Sequence, residues 1–141
     1  MNLVEKLGLQ PHPEGGYYRQ VYKSSAVVGD RTAITAIYFL LERGQISRWH
    51  RVLSDELWTF LEGAPLTLWM HDGVSTTSAT LDADSRIAVV PRTVWQAAET
   101  TGDYTLVACF VAPGFEFADF AMMVDVPEAQ GTVPAELKRL I

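Results

Sequence analysis

The chain has 141 residues, 48% of them hydrophobic and 20% charged, with a net charge of −6. That balance describes one globular domain, residues 1–141, able to bury a core of its own, and it excludes a disordered chain. No lysine- or arginine-rich run is present, so neither nucleic acid nor an anionic membrane is expected as a partner. The single cysteine, Cys109, lies in an apolar run and reads as a buried thiol of a reducing compartment. No secretory pattern opens the chain and its longest apolar stretches are too short to span a bilayer, so a cytoplasmic location is expected.

In chain order, the Asn2-x-x-Glu5 pattern predicts a short helix over Leu3–Leu9, stopped by Pro11-His12-Pro13. Glu14-Gly15-Gly16 is a turn signal, and Tyr17–Ser24 reads as a strand. Thr32–Leu41 is apolar on both faces, which predicts a strand with the core on one side and a second copy of the chain on the other. Ser47–Val52 and Glu56–Leu61 read as strands joined by Leu53-Ser54-Asp55. Leu66–His71 leads into Asp72-Gly73, a two-residue hairpin turn, and Val74–Leu81 returns; His71 is expected in solvent beside the turn. Arg86–Val90, Val94–Glu99 and Tyr104–Val111 complete the strands, and Pro134–Ile141 reads as a closing helix. Short strands without long helical connections give an all-β antiparallel sandwich or barrel with short terminal helices.

Chemistry concentrates between Gly44 and Gly63. Side chains alternate along a strand, so Arg48, His50 and Val52 share one face, and Glu56, Trp58 and Phe60 share a face of the next strand. An imidazole and a carboxylate on an apolar wall of Trp58 and Phe60 have the make-up of a small-molecule pocket. The same groups would also serve as a buried hydrogen-bond network with no ligand. The Pro-His-Pro-Glu-Gly-Gly segment is expected to bring Glu14, Tyr17 or Arg19 over the pocket mouth, with Arg48 available to clamp an anionic group. Phe115, Phe117 and Phe120 read as satellite core beneath a loop.

The spacing Gly44-x5-His50-x-Val52-x3-Glu56-x6-Gly63 resembles the first motif of the cupin superfamily, G-x5-H-x-H-x3–4-E-x6-G, and Pro91-x-Thr93-x2-Gln96 approaches the second, P-x-G-x2-H. With His12-Pro-Glu-Gly-Gly-Tyr17, Ser54-Asp-Glu56-x-Trp58 and Pro113-Gly-Phe-x-Phe117, the chain looks most like a small single-domain cupin branch of unassigned activity. The resemblance implies a double-stranded β-helix, the cupin jelly-roll barrel, and a homodimer. A metal-binding cupin uses three histidines and a glutamate. Here Val52 and Gln96 stand at the second and third histidine positions, so no metal and no other cofactor is expected. The remaining readings are a metal-independent isomerase or epimerase, a non-catalytic binder or sensor of a small carbohydrate- or nucleotide-like ligand, and, behind both, a metal-dependent cupin enzyme. In the first, His50 is the base, Glu56 its orienter, and Gln96 or Arg48 holds the substrate.

Overall fold

The computed structural model describes residues 2–141. A five-residue helix, α1 (Leu3–Leu7), starts where the Asn2 side chain accepts the Glu5 amide hydrogen at 2.9 Å and ends at Gly8, which takes a left-handed conformation. The helix thus stops two residues short of the predicted Leu9. Strands follow as β1 (Gln10–Pro11), β2 (Tyr17–Lys23), β3 (Val27–Val28), β4 (Arg31–Thr32), β5 (Thr35–Glu42), β6 (Ile46–Arg51) and β7 (Asp55–Gly63). The remainder are β8 (Leu66–His71), β9 (Thr76–Leu81), β10 (Ile87–Val90), β11 (Trp95–Thr100), β12 (Tyr104–Ala112) and β13 (Ala121–Met122). The predicted strand from Thr32 is two elements, because Arg31 and Thr32 pair back on Val27 and Val28 before β5 begins. The closing helix is a 3-10 segment, Ala135–Leu140.

The strands form a six-stranded sheet in the order β1-β2-β5-β12-β7-β10, a five-stranded sheet in the order β13-β6-β11-β8-β9, and the small β3-β4 hairpin. This is the jelly-roll arrangement expected from the sequence. The interior is filled by Phe39, Leu41, Trp58, Phe60 and Val107 of the first sheet against Leu66, Leu68, Leu81 and Ala98 of the second. The outer face of the second sheet is covered in turn, since Trp49, Trp95 and Ala97 pack under Met123, Val133, Leu137 and Leu140. Over the first sheet α1 covers only one end, around Leu9, Leu40 and Leu106. No helix among the described residues is long and apolar enough to cross a membrane.

His71 is not in solvent. Its exposure is 0%, and its ring is held between the hydroxyls of Thr76 and Thr132, each at 2.8 Å. The Thr132 hydroxyl already donates to the Ala129 carbonyl at 2.9 Å, so it accepts from Nε2–H of His71, and Thr76 donates to Nδ1. A partner 61 residues ahead in sequence is invisible to local patterning. His71→Ala is expected to cost about 2–4 kcal/mol, the sum of a cavity and two stranded hydroxyls, in urea denaturation; a loss under about 0.5 kcal/mol would return His71 to the surface.

Candidate functional site

One cavity opens between the N-terminal turn, the near ends of β5, β6, β7 and β12, and the Phe115–Phe120 segment. It holds about 400 Å³ counted to its walls and mouth, yet the centre of a water molecule can move through only about 30 Å³ of that. His12, Glu14, His50 and Glu56 enter it among Ile37, Val52, Val111, Tyr18, Phe115 and Phe120.

Glu14 arrives because two glycines let the turn lie flat on the sheets. Gly15 has φ +111°, and a Cβ there would stand 2.0 Å from the Ile46 carbonyl oxygen; Gly16 has φ +73°, with the Leu40 carbonyl oxygen 2.6 Å from a Cβ. No other residue fits either position. The Glu14 carbonyl accepts the Arg48 amide hydrogen at 2.7 Å, and its carboxylate takes Ser47 Oγ–H at 3.1 Å and His50 Nε2–H at 2.8 Å. His50 Nδ1–H donates to the Arg48 carbonyl at 2.7 Å, so both ring nitrogens are donors and the ring is an imidazolium. Burial opposes both charges and is the largest single influence on each, but the neighbouring charges and hydrogen bonds together outweigh it: Glu14 is held below its ordinary pKa and His50 above its own. His12 differs. Burial holds its pKa down against the pull of Glu14, and its Nδ1 accepts the Glu14 amide hydrogen at 3.1 Å.

Ser47 and His50 reach the same carboxylate, three residues apart, because β6 is bulged. Gln96 of β11 pairs with His50 and Ala98 pairs with Ser47, so three steps on β6 oppose two on β11. The extra residue turns Arg48 away from His50: its Nε–H donates to the Ile141 carbonyl at 3.2 Å, and Trp49 Nε1–H donates to the Leu137 carbonyl at 3.0 Å. Arg48 therefore does not clamp a ligand here, and the simple alternation that places it beside His50 fails at the bulge.

Glu56 is not the orienter of His50 either; Glu14 is. The Glu56 Oε1 accepts Gln96 Nε2–H at 2.9 Å, and Gln96 Oε1 accepts Trp58 Nε1–H at 2.8 Å. Trp58, Gln96 and Phe60 are thus a supporting layer behind the cavity wall rather than ligand contacts, since Trp58 and Phe60 point into the inter-sheet core. Burial in this apolar surround raises Glu56 from an ordinary 4.5 to about 7, against the lowering effect of the His50 charge and with Glu14 adding to the rise.

Two expected contacts fall outside. Tyr17 packs outward with Leu40 and α1, and Arg19 donates to the Leu7 carbonyl at 3.1 Å; the alternation of β2 turns Tyr18 inward instead. Phe115 and Phe120, read from sequence as satellite core, are cavity walls, and the Phe120 ring lies 5.5 Å from that of His50. Their segment is tied down where Arg31 binds the Asp119 carboxylate and the Gly114 carbonyl, and where Phe115 N–H donates to Thr35 Oγ1 at 2.9 Å. An aromatic cluster after Pro113-Gly114 is the available signal for this wall; its direction is not in the sequence.

The donor set does not fit the metal of the cupin motif. Val52 offers hydrocarbon, both polar atoms of Gln96 are engaged, and His50 Nε2 is paired with Glu14. Among the described residues, no group of three or more His, Cys, Asp or Glu side chains is placed to hold an ion.

The raised pKa of Glu56 has a stability consequence. An acid protonated more readily in the folded state binds more protons there than in the unfolded chain between pH 4.5 and about 7, so stability falls as pH rises through that window and is level above it. The fall amounts to about 3 kcal/mol, since each tenfold change in proton affinity is worth ~1.4 kcal/mol. Glu56→Gln lacks this component, whereas the Glu14–His50 pair is common to both proteins. The stability difference between wild type and Glu56→Gln, followed by urea denaturation, is expected to change across that window; a constant difference would contradict the assignment.

The profile of the family described as "Cupin superfamily (DUF985)" matches residues 1–123. A hypothetical protein from Leishmania major is 28% identical with TM-score 0.88, covering 97% of this chain and 95% of that one. A protein from Shewanella oneidensis is 32% identical with TM-score 0.84, covering 95% of this chain and 92% of its own. An oxalate decarboxylase of Lactobacillus farciminis, solved as a formate complex, shares the fold at 15% identity and TM-score 0.66, over 93% of this chain and 37% of that one. No functionally curated protein matches the sequence. With its two facing sheets and its Gly44–Gly63 motif, the chain belongs to the cupin superfamily.

Proposed function

We propose that the cavity binds a small organic molecule and moves a proton on it without a metal, as an isomerase or epimerase does. One observation supports this above others: two carboxylates share one apolar cavity, with Glu14 held below its ordinary value and Glu56 raised to about 7. Environments that drive two like groups apart in this way separate an acid–base residue from a permanent charge. Glu56, able to hold or release a proton near neutrality, is the base in this proposal. It takes a proton from a carbon beside a carbonyl and returns it to complete the isomerisation, while the Glu14–His50 pair, its hydrogen bonds already met, fixes the wall against which the substrate lies. This reverses the sequence expectation, in which His50 is the base, because a ring donating from both nitrogens has no lone pair to give. The narrow free space favours a ligand of a few heavy atoms over a nucleotide or nucleotide sugar.

Three small carbonyl compounds in D2O test the chemistry: pyruvate, hydroxyacetone and aminoacetone, with loss of their carbon-bound hydrogens followed by NMR. Catalysed exchange of at least one is expected, reduced about 100-fold or more in Glu56→Gln. Uncatalysed exchange of all three would leave a non-catalytic binder or sensor.

The homodimer expected from the sequence is proposed through the outer face of the six-stranded sheet. Tyr38, Leu57, Ala108 and Phe110 continue there into exposed Ile87 and Val89, with Arg19 at the edge opposite Tyr38, a face able to pair with its own copy despite the net charge of −6. Light scattering is expected to give twice the chain mass, and Phe110→Asp the monomer; a monomeric wild type would overturn the pairing.

A further inference from the structure

We propose that the ligand class of this cavity is a small organic cation, an ammonium group seated between the cavity-facing side of the Glu56 carboxyl and the rings of Phe115, Phe120 and Tyr18. This rests on the reading of the cavity as a ligand site and names what it selects.

The charges facing the cavity leave no place for an anion. No lysine or arginine lines it. Arg48 is turned to the Ile141 carbonyl, Arg31 to Asp119, and Arg51 lies over the Trp95 ring at 4.6 Å. The one cation present, His50, is already neutralised by Glu14 at 2.8 Å. A carboxylate or phosphate entering here would meet Glu56 and Glu14 with no free counter-charge, and a buried charge without a partner is strongly disfavoured.

What the cavity does offer suits a cation. Glu56 takes hydrogen bonds from the Gln96 amide and the Cys109 thiol, and the acceptor capacity left over opens on the cavity. The rings of Phe115 and Phe120, centred 6.0 Å apart, and Tyr18 present π-electron density, which attracts an ammonium and accepts its alkyl groups. The net charge of −6 favours the approach of cations over anions. The limited free space restricts the guest to a few heavy atoms.

Binding of a cation draws the proton off Glu56, so affinity rises with pH until that carboxyl is ionised. The other groups facing it do not reverse this trend. Glu14 and His50 hold each other charged, burial keeps His12 low, the Cys109 thiol is pushed well above 9, and Tyr18 contributes its ring.

Isopropylammonium, 2-propanol and acetate are comparable probes of positive, zero and negative charge. Each is titrated into the whole protein between about pH 5 and about pH 8, following the methyl NMR signals of Val52 and Val111. Isopropylammonium is expected to bind the tightest, its dissociation constant falling by about tenfold per pH unit up to about 7 and then levelling. Glu56→Gln is expected to weaken it by about tenfold or more and to flatten the pH dependence; the wild-type profile stands as a readout should that variant fold poorly. Preference for acetate or 2-propanol, or affinity that falls with pH, would overturn the cation assignment and leave the cavity a ligand site. If none of the three shifts the valine signals, the ligand site and its class fall together.

Discussion

A carboxylate and an imidazolium buried 2.8 Å apart join the N-terminal turn to the second sheet, and the site depends on that contact. Burying two charges is costly, and such a pair repays its cost only when its remaining hydrogen-bonding capacity is met. Here it is. Ser47 takes the second oxygen of Glu14 and the Arg48 carbonyl takes the second nitrogen of His50. The pair also dictates backbone conformation, because Glu14 reaches His50 only if Gly15 and Gly16 lie against the Ile46 and Leu40 carbonyls. Geometry rather than net stability is what this arrangement secures: the turn has one seat, and the cavity one roof.

Set against the metal-binding cupin pattern, two substitutions recast the same scaffold. A valine at position 52 replaces a donor with hydrocarbon, lowering the polarity around Glu56. A glutamine at position 96 keeps a polar contact to Glu56 but supplies an N–H where a metal site has a lone pair, and Trp58 fixes which end of the amide faces the acid. A carboxylate that would bind a cation's charge directly thus becomes a carboxyl balanced between its two protonation states near neutrality. The N-terminal turn then brings a second carboxylate and a second imidazole into the space opposite.

Much of this is legible in the sequence, and the parts that are not share a cause. Strand alternation and the glycine-bounded motif locate His50 and Glu56, and Pro-Glu-Gly-Gly points to Glu14, because these signals are local. The failures arise where register against a distant strand decides direction. A bulge on β6 cannot be read from residues 46–51 alone, so alternation puts Arg48 on the wrong side. The phase of β2 decides between Tyr17 and Tyr18, and it is set by pairing with β5. Thr93 illustrates a different limit: it occupies the glycine position of the second motif and still adopts φ +70°, a strained conformation for a β-branched residue that sequence alone argues against.

The inward turn of His50 has an optical consequence. It leaves residue 49 pointing outward and sets a buried indole one peptide bond from the imidazolium, fixed to the Leu137 carbonyl. On the other wall, the Trp58 indole is bonded through one amide to Glu56. His50 and Glu56 thus each have a fluorophore as near neighbour, in a solvent-excluded setting where local fields shift emission. Any guest or proton entering the cavity alters the field at both rings, so the protein carries its own reporter of occupancy.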